Sequence, residues 1–349
     1  MPSREDLKYF QAMPLEVKIR MTKTRIREWV KEYGTDGVYE SFSGGKDSTV
    51  LLHIVRELYP NIEAVFVDTG LEYPEIRRFV KIFENVTILR PKMRFDEVIK
   101  KYGYPLISKD VSQTIYYAKK NADWAIKKLY GVSLNGEPSQ YRVDRYSKFR
   151  PLLDVDFNIS NWCCLEMKEN PIRSKEKEKK PIVALLAEES NRRTEAWLKT
   201  GCNAFDSKRP ISKPMSFWTE QDVLQYIKQT NLPIASVYGD VVDEAQIIKS
   251  GGDIFEQQSM FESCGGKLTT TVCKRTGCMF CGFGCHLEKE SRWLRLKKTH
   301  PRQYEYCIGG GEYNEEGIWQ PNSKGLGLGH CFDALNEIYG EGFIKYKED

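Results

Sequence analysis

The run Ser43-Gly44-Gly45-Lys46-Asp47-Ser48 gathers what a bound phosphate needs. Gly44 and Gly45 let the backbone bend tightly and expose its amides, and Lys46 adds a full positive charge in the same place. Asp47 and Ser48 suit the first turn of a helix, where N–H groups are unpaired and the helix dipole is positive. Backbone amides, a helix N-terminus and a lysine together form a phosphate cradle. The spacing differs from the G-x-x-x-x-G-K-[ST] loop, so the phosphates are held in another way. Asp47 has two readings, a Mg²⁺ ligand beside phosphate oxygens or a plain stabiliser of the helix start. A second chemistry lies in "CKRTGCMFCGFGCH", which holds Cys273, Cys278, Cys281 and Cys285, with His286 adjacent. Cys278-x-x-Cys281 lets one loop offer two thiolates to a metal centre. A structural zinc usually joins two such knuckles, whereas a [4Fe–4S] cluster accepts scattered ligands; on residues alone both stay open.

These groups need elements to position them. Val38–Phe42, Ala64–Val67 and Val86–Leu89 read as strands, alternating with helical runs at Ser48–Tyr59, Pro74–Phe83 and Phe95–Lys101. That alternation predicts βαβ units and a parallel sheet with helices on both faces, an α/β fold. Such sheets bind ligands beyond the carboxyl ends of their strands, where SGGKDS falls. Residues 1–34 read as an N-terminal helical segment with Ile19, Ile26, Trp29 and Val30 on one side. Ile182–Glu188 reads as a further buried strand, and Thr219 as the N-cap of a helix with Val223, Leu224 and Ile227 on one face. The mixed-charge run Arg173–Lys180 reads as a solvated helix end. After about residue 240, Gly251-Gly252, Gly265-Gly266, the cysteines and "IGGGEYNEEGIWQPNSKGLGLGH" predict a Cys-rich, loop-rich region over 240–349, leaving 35–239 as the nucleotide-binding α/β domain. "SRWLRLKKTHPRQYEY" fits either a base-stacking surface or an amphipathic helix, and the modest net charge favours the helix.

The chain has 349 residues, 40% of them hydrophobic, and a formal charge of +4. That excludes a strong polyanion-binding field by net charge alone. There is no apolar run long enough to span a bilayer, and "MPSREDLKYF" lacks the apolar core of a signal peptide. A cytoplasmic protein with no membrane contact is expected. Ten cysteines in a reducing compartment then point to metal ligation or redox chemistry instead of disulfides.

Ser43–Ser48 resembles the PP-loop of the adenine-nucleotide alpha hydrolases, whose Rossmann-like fold cleaves ATP between the α and β phosphates. Four further segments resemble the phosphoadenosine phosphosulfate reductase branch in order along the chain: "VFVDTGLEYPE", "NWCCLEMKENPI", "AEESNRR" and "KPMSFWTEQDVLQYI". The resemblance implies ATP and Mg²⁺ as ligands, with Lys46, Asp47 and Arg193 catalytic. Ser41, Ser43, Gly44, Gly45, Ser48, Asp68, Thr69, Glu189 and Ser190 would complete the nucleotide site. Asp68 and Thr69 would approach the adenosine, unless they only form a turn at Gly70. Arg193 would clamp an anionic group unless it is a surface ion pair. The resemblance also favours a [4Fe–4S] cluster on Cys163, Cys164, Cys278 and Cys281, with Cys202, Cys273 and Cys285 as rival ligands. Cys307 and Cys331 are expected to be buried and unmetallated.

Within that family the chain is closest to adenylating iron–sulfur sulfurtransferases such as those of DNA phosphorothioation. ATP-dependent sulfur transfer is therefore expected, with a sulfur donor such as a cysteine desulfurase and nucleic acid among the acceptors. The oligomeric state is open, a homodimer being one option. The alternative is an adenylyl-sulfate or phosphoadenylyl-sulfate reductase. Such reductases typically lack the Lys-Asp of SGGKDS and carry a nucleophilic cysteine in a C-terminal Glu-Cys-Gly-x-His segment. Here "YGEGFIKYKED" has none, although Gly329-His330-Cys331 lies nearby. A zinc-stabilised nucleic-acid-binding module without catalysis is a third reading, opposed by the intact PP-loop.

Overall fold

The computed structural model describes residues 2–245 and 266–348; Gly251, Gly252 and Gly265 lie outside the described residues. The apolar runs form β1 (Val38–Ser41), β2 (Ala64–Val67) and β3 (Val86–Leu89), joined through α3 (Lys46–Leu58) and α4 (Pro74–Val80). After the two-residue β4 (Leu106–Ile107), β5 (Lys180–Ile182), β6 (Asn203–Ala204) and β7 (Ile211–Ser212) follow. Six strands make one sheet in the order β3-β2-β1-β5-β7-β6. Every pairing is parallel except β6 with β7. The chain runs outward from β1 to β3 and then returns to the other side of β1 as β5. The carboxyl end of β1 is therefore a topological switch point, the place where such sheets take ligands. SGGKDS begins two residues after β1 ends.

Two compact units divide the chain, one of Met1–Asp68, Glu72–Arg90 and Ile172–Gly277, the other of Thr69–Leu71, Pro91–Pro171 and Cys278–Asp349. They follow contacts instead of the sequence-order boundaries near 34 and 239. In the first unit, α1 (Arg4–Gln11) and α2 (Leu15–Tyr33) join the sheet's own core. Ile26, Trp29 and Val30 bury with Val50, Leu51, Ile54 and Val55 of α3 and with Trp218, while Ile19 packs half-buried at its margin. In the second unit, β4 pairs in parallel with Gly282–Phe283, so the residues after Cys278 pack with 91–171. That unit also holds α5 (Phe95–Tyr102). "SRWLRLKKTHPRQYEY" forms two helices, Arg292–Thr299 and Pro301–Ile308. Trp293, Leu296 and Cys307 are at most 1% exposed, so the run is amphipathic and its tryptophan belongs to the core. Among the described residues no helix is long and apolar enough to cross a membrane.

One expected strand needs correcting. Pairing stops at Ile182, not Glu188. The Val183 N–H still donates to the Ser212 carbonyl, but the Leu185 N–H turns back onto Val183. The neighbour, β7, offers only two residues, so the ladder has nothing further to pair with. Leu186 and Ala187 are buried by side-chain packing in the core, a burial that an apolar run cannot distinguish from a strand.

The helix Glu220–Thr230 forms as expected, closed by a reciprocal cap. The Thr219 hydroxyl accepts from the Asp222 N–H, and the Asp222 carboxylate accepts from the Thr219 N–H at 2.6 Å. The same carboxylate accepts from Lys18 Nζ at 2.6 Å, and Lys18 is 1% exposed. Removing one partner of such a pair strands the other charge in the core. Asp222→Ala should cost roughly 3–5 kcal/mol of stability, and Lys18→Met in the Asp222→Ala background should restore part of it; urea unfolding of the three variants measures both.

Candidate functional site

The turn after β1 depends on Gly44, whose φ is +71°. A Cβ there would stand 2.8 Å from methyl groups of both Ile76 and Val80 on α4. The loop can therefore lie against α4 only with a bare Cα at this position. Gly45 caps α3 without a side chain, and its carbonyl accepts from the Ser48 and Thr49 hydroxyls at 3.0 and 2.9 Å. The Ser43 and Ser48 hydroxyls are 2.9 Å apart. Ser41 ends β1 half-buried.

Lys46 opens α3 and is only 4% exposed. Its Nζ lies 3.1 Å from Glu220 Oε1 and 3.5 Å from Asp47 Oδ1, and donates to the Lys274 carbonyl at 3.2 Å. Burial pulls its pKa down, but Asp47, Glu220 and Tyr238 more than offset that, so the net shift is upward. The ammonium therefore stays charged. The Lys46 N–H donates to the Tyr238 hydroxyl at 3.2 Å, and that hydroxyl bonds Thr276 Oγ1. Asp47 Oδ1 is buried with no hydrogen-bond partner. A hard cation beside phosphate oxygens would satisfy such an atom.

Arg193 reaches the same neighbourhood. Its guanidinium pairs with Glu189, and Arg275 lies 3.8 Å from the same carboxylate. Burial and then the Arg275 charge lower the Arg193 pKa, while Asp47 opposes them. Glu188 accepts from the Glu220 N–H at 2.6 Å and, mainly through burial, has a raised pKa. Lys46, Asp47, Glu189 and Arg193 are thus brought together. Ser190 is a helix cap, its hydroxyl accepting from the Arg193 N–H. Asp68 pairs with Arg77 at 2.9 Å and stands 3.8 Å from Arg90. The Thr69 hydroxyl accepts from the Leu71 N–H at 3.1 Å, which closes the turn at Gly70. Glu220, Tyr238, Lys274 and Thr276 escaped the sequence reading. Glu220 had one signal, a position directly after a helix-capping threonine.

Within the second unit, Cys163, Cys164, Cys278 and Cys281 line one pocket with Leu71, Phe95, Pro105, Met167 and Lys168. Cys278 and Cys281 share a tight turn, the Cys281 N–H donating to the Cys278 carbonyl at 3.2 Å. The helical turn Trp162–Cys164 runs into a π-helical turn, Leu165–Glu169, a distortion frequent at functional sites. Trp162 is fixed by stacking on Tyr102, with centroids 4.8 Å apart and planes 7° off parallel. The Cys163 thiol is pushed well up by its hydrogen bond with Cys164, by burial and by the other thiols. Burial and then Cys278 push Cys281 up to about 12. Cys164 is lowered by the same bond with Cys163, helped by Lys109 and Lys168.

The rivals are placed elsewhere. Cys202 sits in the first unit's core, and the Cys273 thiol donates to the Arg275 carbonyl in that unit. Cys285 donates to the Gly282 carbonyl at 3.1 Å. Cys307 and Cys331 are fully buried. His286 stacks on Phe343 with centroids 5.0 Å apart. None of the nine described cysteines is in a disulfide. Among the described residues no three His, Cys, Asp or Glu side chains gather as ligands of a single ion.

The Gly44 geometry has a direct consequence. Gly44→Ala should cost roughly 1–2 kcal/mol from the left-handed backbone alone, and it should weaken nucleotide binding by displacing the loop from α4. Gly277→Ala, with nothing described within 4 Å of its Cβ position, should leave both unchanged. Thermal unfolding with and without nucleotide separates the two effects.

Residues 38–113 match the family model of the phosphoadenosine phosphosulfate reductase domain. An adenosine 5′-phosphosulfate reductase of Oceanobacillus iheyensis is 25% identical over 217 residues, 60% of this chain and 69% of that protein. An uncharacterized protein of Methanocaldococcus jannaschii is 40% identical over 70 residues, but the match spans only 19% of this chain and 17% of that protein. Among solved structures, the phosphoadenylyl-sulfate reductase of Candida auris in its phosphate complex overlaps 68% of this chain and 91% of its own, at 14% identity and a TM-score of 0.36. The matched segment begins with β1 and the SGGKDS loop, so residues 38–113 form a phosphoadenosine phosphosulfate reductase-like domain.

Proposed function

We propose that the chain is an ATP-dependent sulfur-transfer enzyme. ATP is cleaved between its α and β phosphates, AMP is joined to an acceptor oxygen, pyrophosphate leaves, and a sulfur nucleophile then displaces AMP. The observation that carries this reading is the buried, charged Lys46 beside an Asp47 oxygen that is buried without a hydrogen bond. An ammonium at a helix N-terminus stabilises the charge that gathers on a departing pyrophosphate. The Asp47 carboxylate supplies a Mg²⁺ ligand, and Arg193 clamps a phosphate oxygen once it exchanges Glu189 for the nucleotide. A reductase of adenylyl sulfate has no pyrophosphate to expel and no use for this pair.

The pocket lined by Cys163, Cys164, Cys278 and Cys281 suits a [4Fe–4S] cluster. Four thiols line one pocket, and a cluster of this kind takes one thiolate at each iron. A cluster held there supplies a site that binds or relays sulfur. The sulfur donor would be a protein such as a cysteine desulfurase, with nucleic acid as the leading acceptor and a homodimer as one assembly.

The reductase relatives support a second reading, reduction of adenylyl sulfate. That chemistry needs an accessible thiolate nucleophile. Cys331, in its Gly-His-Cys context, is 0% exposed within the helix Leu328–Tyr339, and burial drives its thiol pKa well up.

ATP turnover should release AMP and pyrophosphate, and Lys46→Ala should slow it by ~10²-fold or more. Release of ADP and phosphate by the wild type would remove the PP-loop assignment, and robust sulfite formation from adenylyl sulfate with thioredoxin would select the reductase.

Purified without oxygen, the protein should be brown, with about four irons and four sulfides per chain. Cys278→Ser or Cys281→Ser should lose iron while ATP binding persists, and Cys307→Ser should keep it. One stoichiometric zinc without iron would refute the cluster, and full iron in a Cys163→Ser, Cys164→Ser double variant would move the missing ligands to another cysteine.

A further inference from the structure

The mixed-charge run Arg173–Lys180 has two faces. On one, Lys175 and Lys179 reach Glu63 at 2.7 and 2.8 Å, and the Thr87 hydroxyl donates to the same carboxylate. Burial alone would raise the Glu63 pKa, but these bonds outweigh it and hold the group down at about 2. That face anchors the helix Asn170–Glu178. The opposite face turns Arg173, Lys177 and Lys180 toward Lys208 and Arg209, and these five cations line an open cleft of about 480 Å³. Only one carboxylate, Glu176, lines it with them, bound to Arg209 Nε at 3.0 Å. Arg173, Lys177 and Lys208 are exposed. None of the three has a carboxylate partner among the described residues.

Like charges four residues apart on a helix repel, and Arg173 and Lys177 have this spacing in full view of Lys208. An anion in the cleft relieves all three. The excess of four positive charges lining this cleft equals the formal charge of the entire chain, +4. The field is therefore local, which is why the composition did not reveal it.

The cleft is not the ATP site. Lys180 opens β5, and Lys208–Arg209 lead into β7. Val38, the first residue of parallel β1, is in register with Lys180. The cleft thus lies at the amino ends of the strands, and SGGKDS at the carboxyl end of β1. Cations on two chain segments across an open cleft suit successive phosphates better than one. The lining carries no aromatic ring to stack a base, so the contact is with the backbone and indifferent to sequence.

We propose that this cleft binds the phosphodiester backbone of a nucleic acid, and that this nucleic acid is the acceptor. The second clause rests on the sulfur-transfer reading; the first stands without it.

The test uses the full chain and short single- and double-stranded DNA and RNA oligonucleotides, titrated by fluorescence anisotropy from about 50 to 200 mM salt. A triple variant, Arg173→Gln, Lys177→Gln, Lys208→Gln, should bind about tenfold more weakly or worse. Its slope of log affinity against log salt should flatten by about one for each charge removed. Lys297→Gln with Lys298→Gln should change neither quantity, and AMP formation from ATP should be unaffected in both variants. The preferred oligonucleotide then assigns DNA or RNA. Equal affinity and slope for wild type and triple variant would overturn the proposal, as would binding of heparin but of no oligonucleotide. Wild-type protein that binds oligonucleotides through the cleft but forms no AMP would instead overturn the sulfur-transfer reading and leave the binding site standing.

Discussion

A lysine ammonium that is almost fully buried must have anionic company, and the first unit is arranged around that requirement at Lys46. Its partner Glu220 opens the helix Glu220–Thr230, whose start is fixed three times over. Thr219 and Asp222 cap each other, Glu188 accepts from the Glu220 N–H, and Asp222 is tied to the buried Lys18 of α2. The structural ion pair Lys18–Asp222 and the functional pair Lys46–Glu220 thus share one helix terminus. The N-terminal helices, which carry no chemistry of their own, set the position of the carboxylate that keeps Lys46 charged before any nucleotide arrives. A charge held ready in a low-dielectric site needs little reorganisation when phosphate charge builds up beside it.

The same arrangement explains why the loop is surrounded by acids. Glu189 pairs with Arg193 and lies near Arg275, Glu220 pairs with Lys46, and Glu188 accepts from the Glu220 N–H. Without them the buried Lys46 and half-buried Arg193 would lack anionic partners, and burial followed by the charge of the exposed Arg275 already lowers the Arg193 pKa. With them, each of these cations has a carboxylate oxygen within 4 Å. Mg²⁺ at Asp47 would offset the further negative charge that a triphosphate brings into this acidic setting.

What the sequence revealed and what it hid divide along a physical line. SGGKDS, the Thr219 cap and the Cys278-x-x-Cys281 turn were legible because each is made by residues within a few positions of one another. Tyr238 and Lys274 were not, because they meet Lys46 across 192 and 228 positions of chain, with Thr276 joined through the Tyr238 hydroxyl, and nothing local marks a tyrosine that will receive an amide N–H. Cys273 stood as a rival ligand in the same run as Cys278, yet the chain passes from one compact unit to the other between them. The Ile182–Glu188 run was apolar for core packing, and only the length of β7 decided where pairing stopped.

Charge was the least legible property of all. The run "RSKEKEKK" carries five basic and two acidic residues, and its alternation of sign reads as a solvated, indifferent surface. Helical geometry sorts it. At 100° per residue, Arg173 and Lys177 of the helix fall together, away from the side on which Lys175 and Lys179 meet Glu63, and Lys180 joins them from the start of β5. Of the run's two acids, Glu176 answers to Arg209 and Glu178 does not line the cleft. A segment of mixed sign thereby presents a nearly pure cationic face. Net charge counts side chains, whereas a ligand meets only those that the backbone turns toward it, and the second quantity exists only after folding.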